Sequence, residues 1–134
     1  MRHTVKLHGV IVGHSDLEET DVTLGRAWGR FRPGLGYELV QPVFRLFTEA
    51  VPMRGGEPRD QEKLARYHAA RDTLGLSLVD AEGREIRTSA IHIADYTTEW
   101  DTKALELEVL ISDDDYWAGR NQAVDFLPRN TPRN

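Results

Sequence analysis

From Thr4 to Val12 apolar and polar residues alternate, with Val5, Leu7 and Ile11 on one side, a period of two that predicts a first strand with Gly9 as a bulge. Gly13 ends it. Ser15 and Glu18 then have the spacing of a capping box, which predicts a single helical turn. Alternation resumes from Val22 to Arg32, with Val22, Leu24, Arg26, Trp28, Arg30 and Arg32 on one face and Gly25, Ala27, Gly29 and Phe31 on the other. This is the second predicted strand.

The period changes at Gly36. Tyr37, Val40, Phe44, Phe47 and Val51 recur at helical spacing inside a wide apolar stripe. Pro42 lies within it and lacks an N–H, so the helix either kinks there or begins there. Residues 52–59, PMRGGEPR, have loop composition. Asp60 is placed to cap a second helix to Leu74, with Leu64, Tyr67, Arg71 and Leu74 on one side and Gly75 as its left-handed stop.

Strand patterns follow at Leu76–Asp80, Arg84–Arg87, Ala90–Tyr96 and Ala104–Ile111, the first two joined by a tight turn at residues 81–83. Ser112, ahead of Asp113, Asp114 and Asp115, reads as the N-cap of a short acidic-start helix ending near Gly119. The expected organisation is one domain over residues 1–119 and a loose tail over 120–134. Its class is α+β: an antiparallel or mixed sheet of about six strands, with two main helices inserted between strands 2 and 3. A small β-barrel plugged by the helices is the alternative.

Composition narrows the chemistry. Hydrophobic residues make up 40% of the 134 and charged residues 29%, an ordinary globular balance. There is no cysteine, which excludes disulfides, thiolate metal sites and cysteine nucleophiles. No stretch approaches the roughly 18 apolar residues of a membrane span, and the first residues lack a secretory signal pattern, so the expected location is cytoplasmic with no membrane partner.

The formal net charge of -5 disfavours nucleic-acid binding by the whole molecule, but the charges are segregated. Arg26, Arg30 and Arg32 are the only charges from Val22 to Tyr37, whereas 95–115 holds eight carboxylates and one lysine. A single strand face with Arg26, Trp28, Arg30 and Arg32 offers guanidinium groups for phosphates and an indole for stacking, the chemistry of a nucleic-acid or phosphorylated-ligand surface. The competing expectation is that these arginines lay their stems over the core and pair with Glu106, Glu108 or the turn at Asp113–Asp115.

Other clusters give less. PGLG at 33–36 lies between a strand and a helix but completes neither GxGxxG nor a P-loop, so it reads as turn chemistry. His3, His8 and His14 are spaced without metal-ligand geometry. His92 and Asp95 fall on opposite strand faces, and a metal site assembled from His14, His92 and an acid would need the fold to bring them together. Gly13-His14-Ser15-Asp16 contains catalytic residue types, but sequence neighbours do not form a relay. No catalytic residue, metal site or cofactor is predicted.

Three functions follow as expectations. The first is a non-catalytic protein-interaction or regulatory domain, with a protein partner or self-association through Glu99, Trp100, Asp113, Asp114, Asp115 and Trp117. The second is the ligand surface of Arg26, Trp28, Arg30 and Arg32. The third is a small hydrolase or lyase with a His-based site.

Overall fold

A computed structural model describes residues 1–52, 56–96 and 105–118. The class is α+β, as expected, but the strands divide between two antiparallel sheets instead of forming one. The five-stranded sheet contains β1 (His3–Leu7), β2 (Val10–Ser15), β5 (Arg32–Pro33), β6 (Leu76–Val79) and β7 (Glu85–Ile86), in the order β5-β2-β1-β6-β7. The four-stranded sheet contains β3 (Glu19–Asp21), β4 (Arg26–Arg30), β8 (Thr88–Asp95) and β9 (Leu105–Ile111), in the order β3-β4-β9-β8. Both orders are open among the described residues, so the barrel alternative is set aside. The helices α1 (Gln41–Ala50) and α2 (Gln61–Leu74) stand between β5 and β6 in the chain.

The predicted first strand is in fact a hairpin. His8 and Gly9 both have positive φ, 49° and 86°, and Leu7 pairs with Val10, which makes a two-residue turn matched to the right-handed twist of its strands. The sheet irregularity expected at Gly9 falls instead between Val5 and Lys6. The predicted helical turn at Ser15 is absent. Ser15 Oγ accepts from the Leu17 N–H, Leu17 sits at φ 45°, and the Glu18 carboxylate accepts from the Arg30 N–H on β4. Ser15 thus closes a local turn, and Glu18 is used across strands.

The predicted strand from Val22 to Arg32 is also interrupted. Residues 22–25 form a turn closed by the Gly25 N–H on the Val22 carbonyl, leaving Val22 and Leu24 exposed. At the other end Phe31 turns into the core and passes the chain to the second sheet. Gly13 makes this possible, because a Cβ there would lie 2.3 Å from the Phe31 ring.

The helical stripe resolves at Pro42. A 3₁₀ turn spans Leu35–Leu39, and the regular helix begins at Gln41 with Pro42 in its first turn, where a missing N–H breaks no bond. Asp60 caps α2 by accepting from the Lys63 N–H, and Gly75 ends it at φ 73°, as the sequence predicts. Alternate positions of both sheets feed one core: Val5, Leu78 and Ile86 from one, Ile93, Leu107 and Val109 from the other. Phe44 of α1 and Tyr67 of α2 join the same cluster, and α1 lies along β8, the outer strand of the four-stranded sheet.

After β9 the cap is Asp113, not Ser112. Its Oδ1 accepts from the Asp115 and Tyr116 N–H groups and its Oδ2 from Arg87, while residues 114–118 are helical. A carboxylate can accept several backbone donors at once where a hydroxyl accepts fewer, which favours Asp at this position.

Candidate functional site

Alternation in β4, β9 and β8 sends Ala27, Val109 and Ile91 inward and Arg26, Trp28, Glu108 and His92 outward. Register places Trp28 opposite Glu108 and Glu108 opposite His92, so the three form one row across the outer face. Helix α2 walls the β8 end of that row. Between them lies a cavity of about 200 Å³ lined by Phe47, Tyr67, Arg71, His92, Glu108 and Leu110, among others. A hollow of about 410 Å³ shares its Arg71 and Ala90 wall and continues toward Gly75 and residues 88–91.

His92 is the chemical centre of this cleft. Its ring meets Phe47 edge-on with centroids 4.4 Å apart, and Phe44 and Tyr67 pack around it. Tyr67 Oη and His92 Nδ1 form a hydrogen bond. Burial is the main reason the imidazole pKa falls to about 4, and the positive charges of Arg71 and His68 push it the same way. Burial likewise holds the Tyr67 phenol well above its ordinary value, against the opposing pull of Arg71, whose guanidinium lies over the ring at 5.4 Å. At neutral pH both groups are uncharged. With the Tyr67 hydroxyl, which also faces the Arg71 donor, assigned as the donor to Nδ1, the neutral imidazole carries its proton on Nε2. Among the described residues Nε2 has no partner.

Glu108 supplies the complementary group. Its Oε2 is paired with Arg26 Nε, and Oε1 takes no bond from a described residue. Arg26 also stacks on its own strand neighbour Trp28, 4.1 Å from the ring centroid. Arg71 is similarly engaged, with Asp72 3.2 Å away. The cleft therefore carries balanced ion pairs at its rim, one neutral N–H donor and one carboxylate acceptor.

The four residues expected to share a face do not all do so. Arg26, Trp28 and Arg30 are on the outer face of β4, but Arg32 is on β5 of the other sheet, 3.4 Å from Asp16. Arg30 is exposed and stands opposite Glu106. The pairing of arginines with β9 carboxylates is realised in Arg26 and Glu108. Of the acidic surface, Asp114 and Asp115 are exposed, Asp113 is buried as the cap, and Trp117 is half-buried with its Nε1–H on the Ile111 carbonyl. Glu99 and Trp100 lie outside the described residues, as do 120–134.

His14 is remote from this cleft, on β2, where it bonds the Thr4 hydroxyl; burial first, then Arg2 and Arg32, lowers its pKa. No group of three or more metal-ligating side chains converges among the described residues. A second polar node surrounds Asp95, which is fully buried and accepts from Tyr37 Oη at 2.6 Å and Gln41 Nε2 at 3.1 Å, with Arg45 at 3.8 Å. Tyr37 and Gln41 line an open hollow of about 540 Å³, but both donors already face Asp95, so this node ties α1 to β8 and leaves little to offer a ligand.

The sequence pointed to His92 only as one half of an unsupported pair. The sequence places Tyr67 on one side of α2 and Glu108 on an alternating strand, and nothing in either pattern shows that the register of β8 on β9 sets Glu108 opposite His92, beside Tyr67. No family model, curated protein or solved structure matches the chain. No helix of the described residues is long and apolar enough to cross a membrane.

Proposed function

We propose that the protein is a non-catalytic binding domain that takes a small polar ligand in the cleft between α2 and the outer face of β9 and β8. One observation carries this reading: His92 and Glu108, directly opposed across β8 and β9, line one cavity beside aromatic walls, and neither His92 Nε2 nor Glu108 Oε1 takes a bond from a described residue. Binding is favoured over proton transfer by the same environment. A histidine with a pKa of about 4 is a weak base at neutral pH, and a phenol raised above its ordinary value is a weak acid. Both are good fixed hydrogen-bonding groups. The acidic surface retains only Asp114 and Asp115 as exposed described members, and Arg32 is separated from the Arg26 face, so neither alternative gathers as many groups in one place.

The test is a screen of small polar aromatic compounds by ligand-observed NMR against the protein and an Ala90→Trp variant. Ala90 lines both hollows, and an indole there fills the cleft from its floor. Compounds should bind the natural chain and be lost from the variant, with unfolding midpoints measured on both. Equal binding to the two proteins, or no binding to either, refutes the cleft as the site.

A further inference from the structure

We infer that the cleft selects a planar lactam-type ring, a heterocycle presenting a carbonyl and an adjacent ring N–H on one edge. The inference rests on the cleft being a ligand site and concerns which ligand class it takes. His92 and Glu108 are directly opposite across β8 and β9 and share the outer face. Opposed residues in an antiparallel pair have Cα atoms about 4.5–5.5 Å apart, so their side chains can reach one edge of one small molecule. One presents a neutral N–H and the other a carboxylate oxygen. The complementary edge is an acceptor next to a donor.

Charge and size narrow the class further. A lone carboxylate or phosphate ligand would meet the N–H of His92 but also the Glu108 carboxylate, whose charge Arg26 offsets only through the other oxygen. A cation would meet Glu108 but also the donor of His92 and the guanidinium of Arg71. A neutral ring with both functions satisfies each group and desolvates no net charge. The aromatic walls, Phe47 and Tyr67, suit a flat ring. A cavity of about 200 Å³ corresponds to about seven water volumes at ~30 Å³ each, room for one substituted six-membered ring.

The probe is uracil, with 1,3-dimethyluracil and benzoate as controls, titrated into the full chain at pH 7 while the His92 and Tyr67 resonances are followed by NMR. Uracil should shift both saturably. Dimethyluracil, which keeps the ring and carbonyls but lacks the N–H, and benzoate, which has only acceptors, should bind at least tenfold more weakly. Glu108→Gln, checked for folding, should weaken uracil by a similar factor, and Arg26→Lys, which keeps a cation beside Glu108, should weaken it less. Benzoate or dimethyluracil binding as well as uracil, with shifts at His92, overturns the lactam class and leaves the cleft reading standing. Absence of any shift at His92 with all three probes and throughout the fragment screen overturns both.

Discussion

Tyr67 of α2 and His92 of β8, joined through the phenolic hydroxyl and Nδ1, fasten a helix to the outer face of a sheet with two uncharged groups. The bond is formed in a site whose burial disfavours the charged imidazole. Its protonation is therefore linked to unfolding.

The sign follows from the direction of the shift. His92 titrates near 4 in the folded protein and near 6.5 when unfolded, so between those values the unfolded chain binds more protons. Stability from this group is complete above about pH 6.5 and is lost as pH falls toward 4, by an amount on the order of 3 kcal/mol. His14 is lowered too and adds the same sign. Urea unfolding at pH 7 and pH 4.5 should show a fall that is markedly smaller in His92→Gln. An equal fall in both proteins would assign the dependence elsewhere.

Gly34 and Gly36 look equivalent in the sequence and are not. A Cβ on Gly36 would lie 2.5 Å from the Ile11 carbonyl oxygen and 2.8 Å from Val10 Cγ1, whereas on Gly34 the nearest atoms are 3.5 Å away. The 3₁₀ turn thus rests its backbone directly on β2. Gly36→Ala should destabilise by about 1–3 kcal/mol through forced displacement, and Gly34→Ala by less than ~1 kcal/mol. Thermal unfolding of the two variants decides it. Gly36 serves the close packing of the turn on β2, and Gly34 does not.

The Asp95 node predicts a different signature. Tyr37 is pushed above the ordinary phenol range by burial and by its bond to the Asp95 carboxylate, so its hydroxyl remains a donor at any accessible pH. Tyr37→Phe removes one donor from a buried carboxylate and should cost about 1–3 kcal/mol, with little effect on ligand binding at His92. Chemical denaturation combined with the uracil titration separates the two effects.

The parts of the fold that were legible in the sequence are those set by local rules. Asp60 and Gly75 bound α2 because capping and left-handed termination act over a few residues, and β9 was readable because Leu105, Leu107, Val109 and Ile111 alternate with Glu106 and Glu108. The misreadings came where two elements share a pattern. His8-Gly9 keeps apolar alternation running through a turn, and Phe31 continues the phase of β4 while moving the chain to another sheet. Strand partners were hardest, since β4 pairs with β9 from the far end of the chain, and for β8 and β9, which follow one another, the alternation leaves the register open. The candidate site is made by that pairing, which is why Glu108 and His92 gave no joint signal.

Asp113 provides the last prediction, because the cap after β9 was expected at Ser112. The two residues differ in what they hold. Asp113 accepts three backbone N–H groups, from Arg87, Asp115 and Tyr116, and Arg84 Nη1 lies 3.7 Å from Oδ2. Ser112 is exposed, and its backbone N–H bonds the Arg87 carbonyl. Backbone donors chiefly, with Arg84 in support, lower the Asp113 pKa, so its stabilisation is present above the unfolded carboxylate value and is lost as pH falls below it. Asp113→Ala should lower the unfolding midpoint clearly and Asp113→Asn partly, since the amide keeps one acceptor oxygen, while Ser112→Ala should leave it nearly unchanged. A larger effect from Ser112→Ala than from Asp113→Ala, measured by thermal unfolding at pH 7, would return the cap to Ser112.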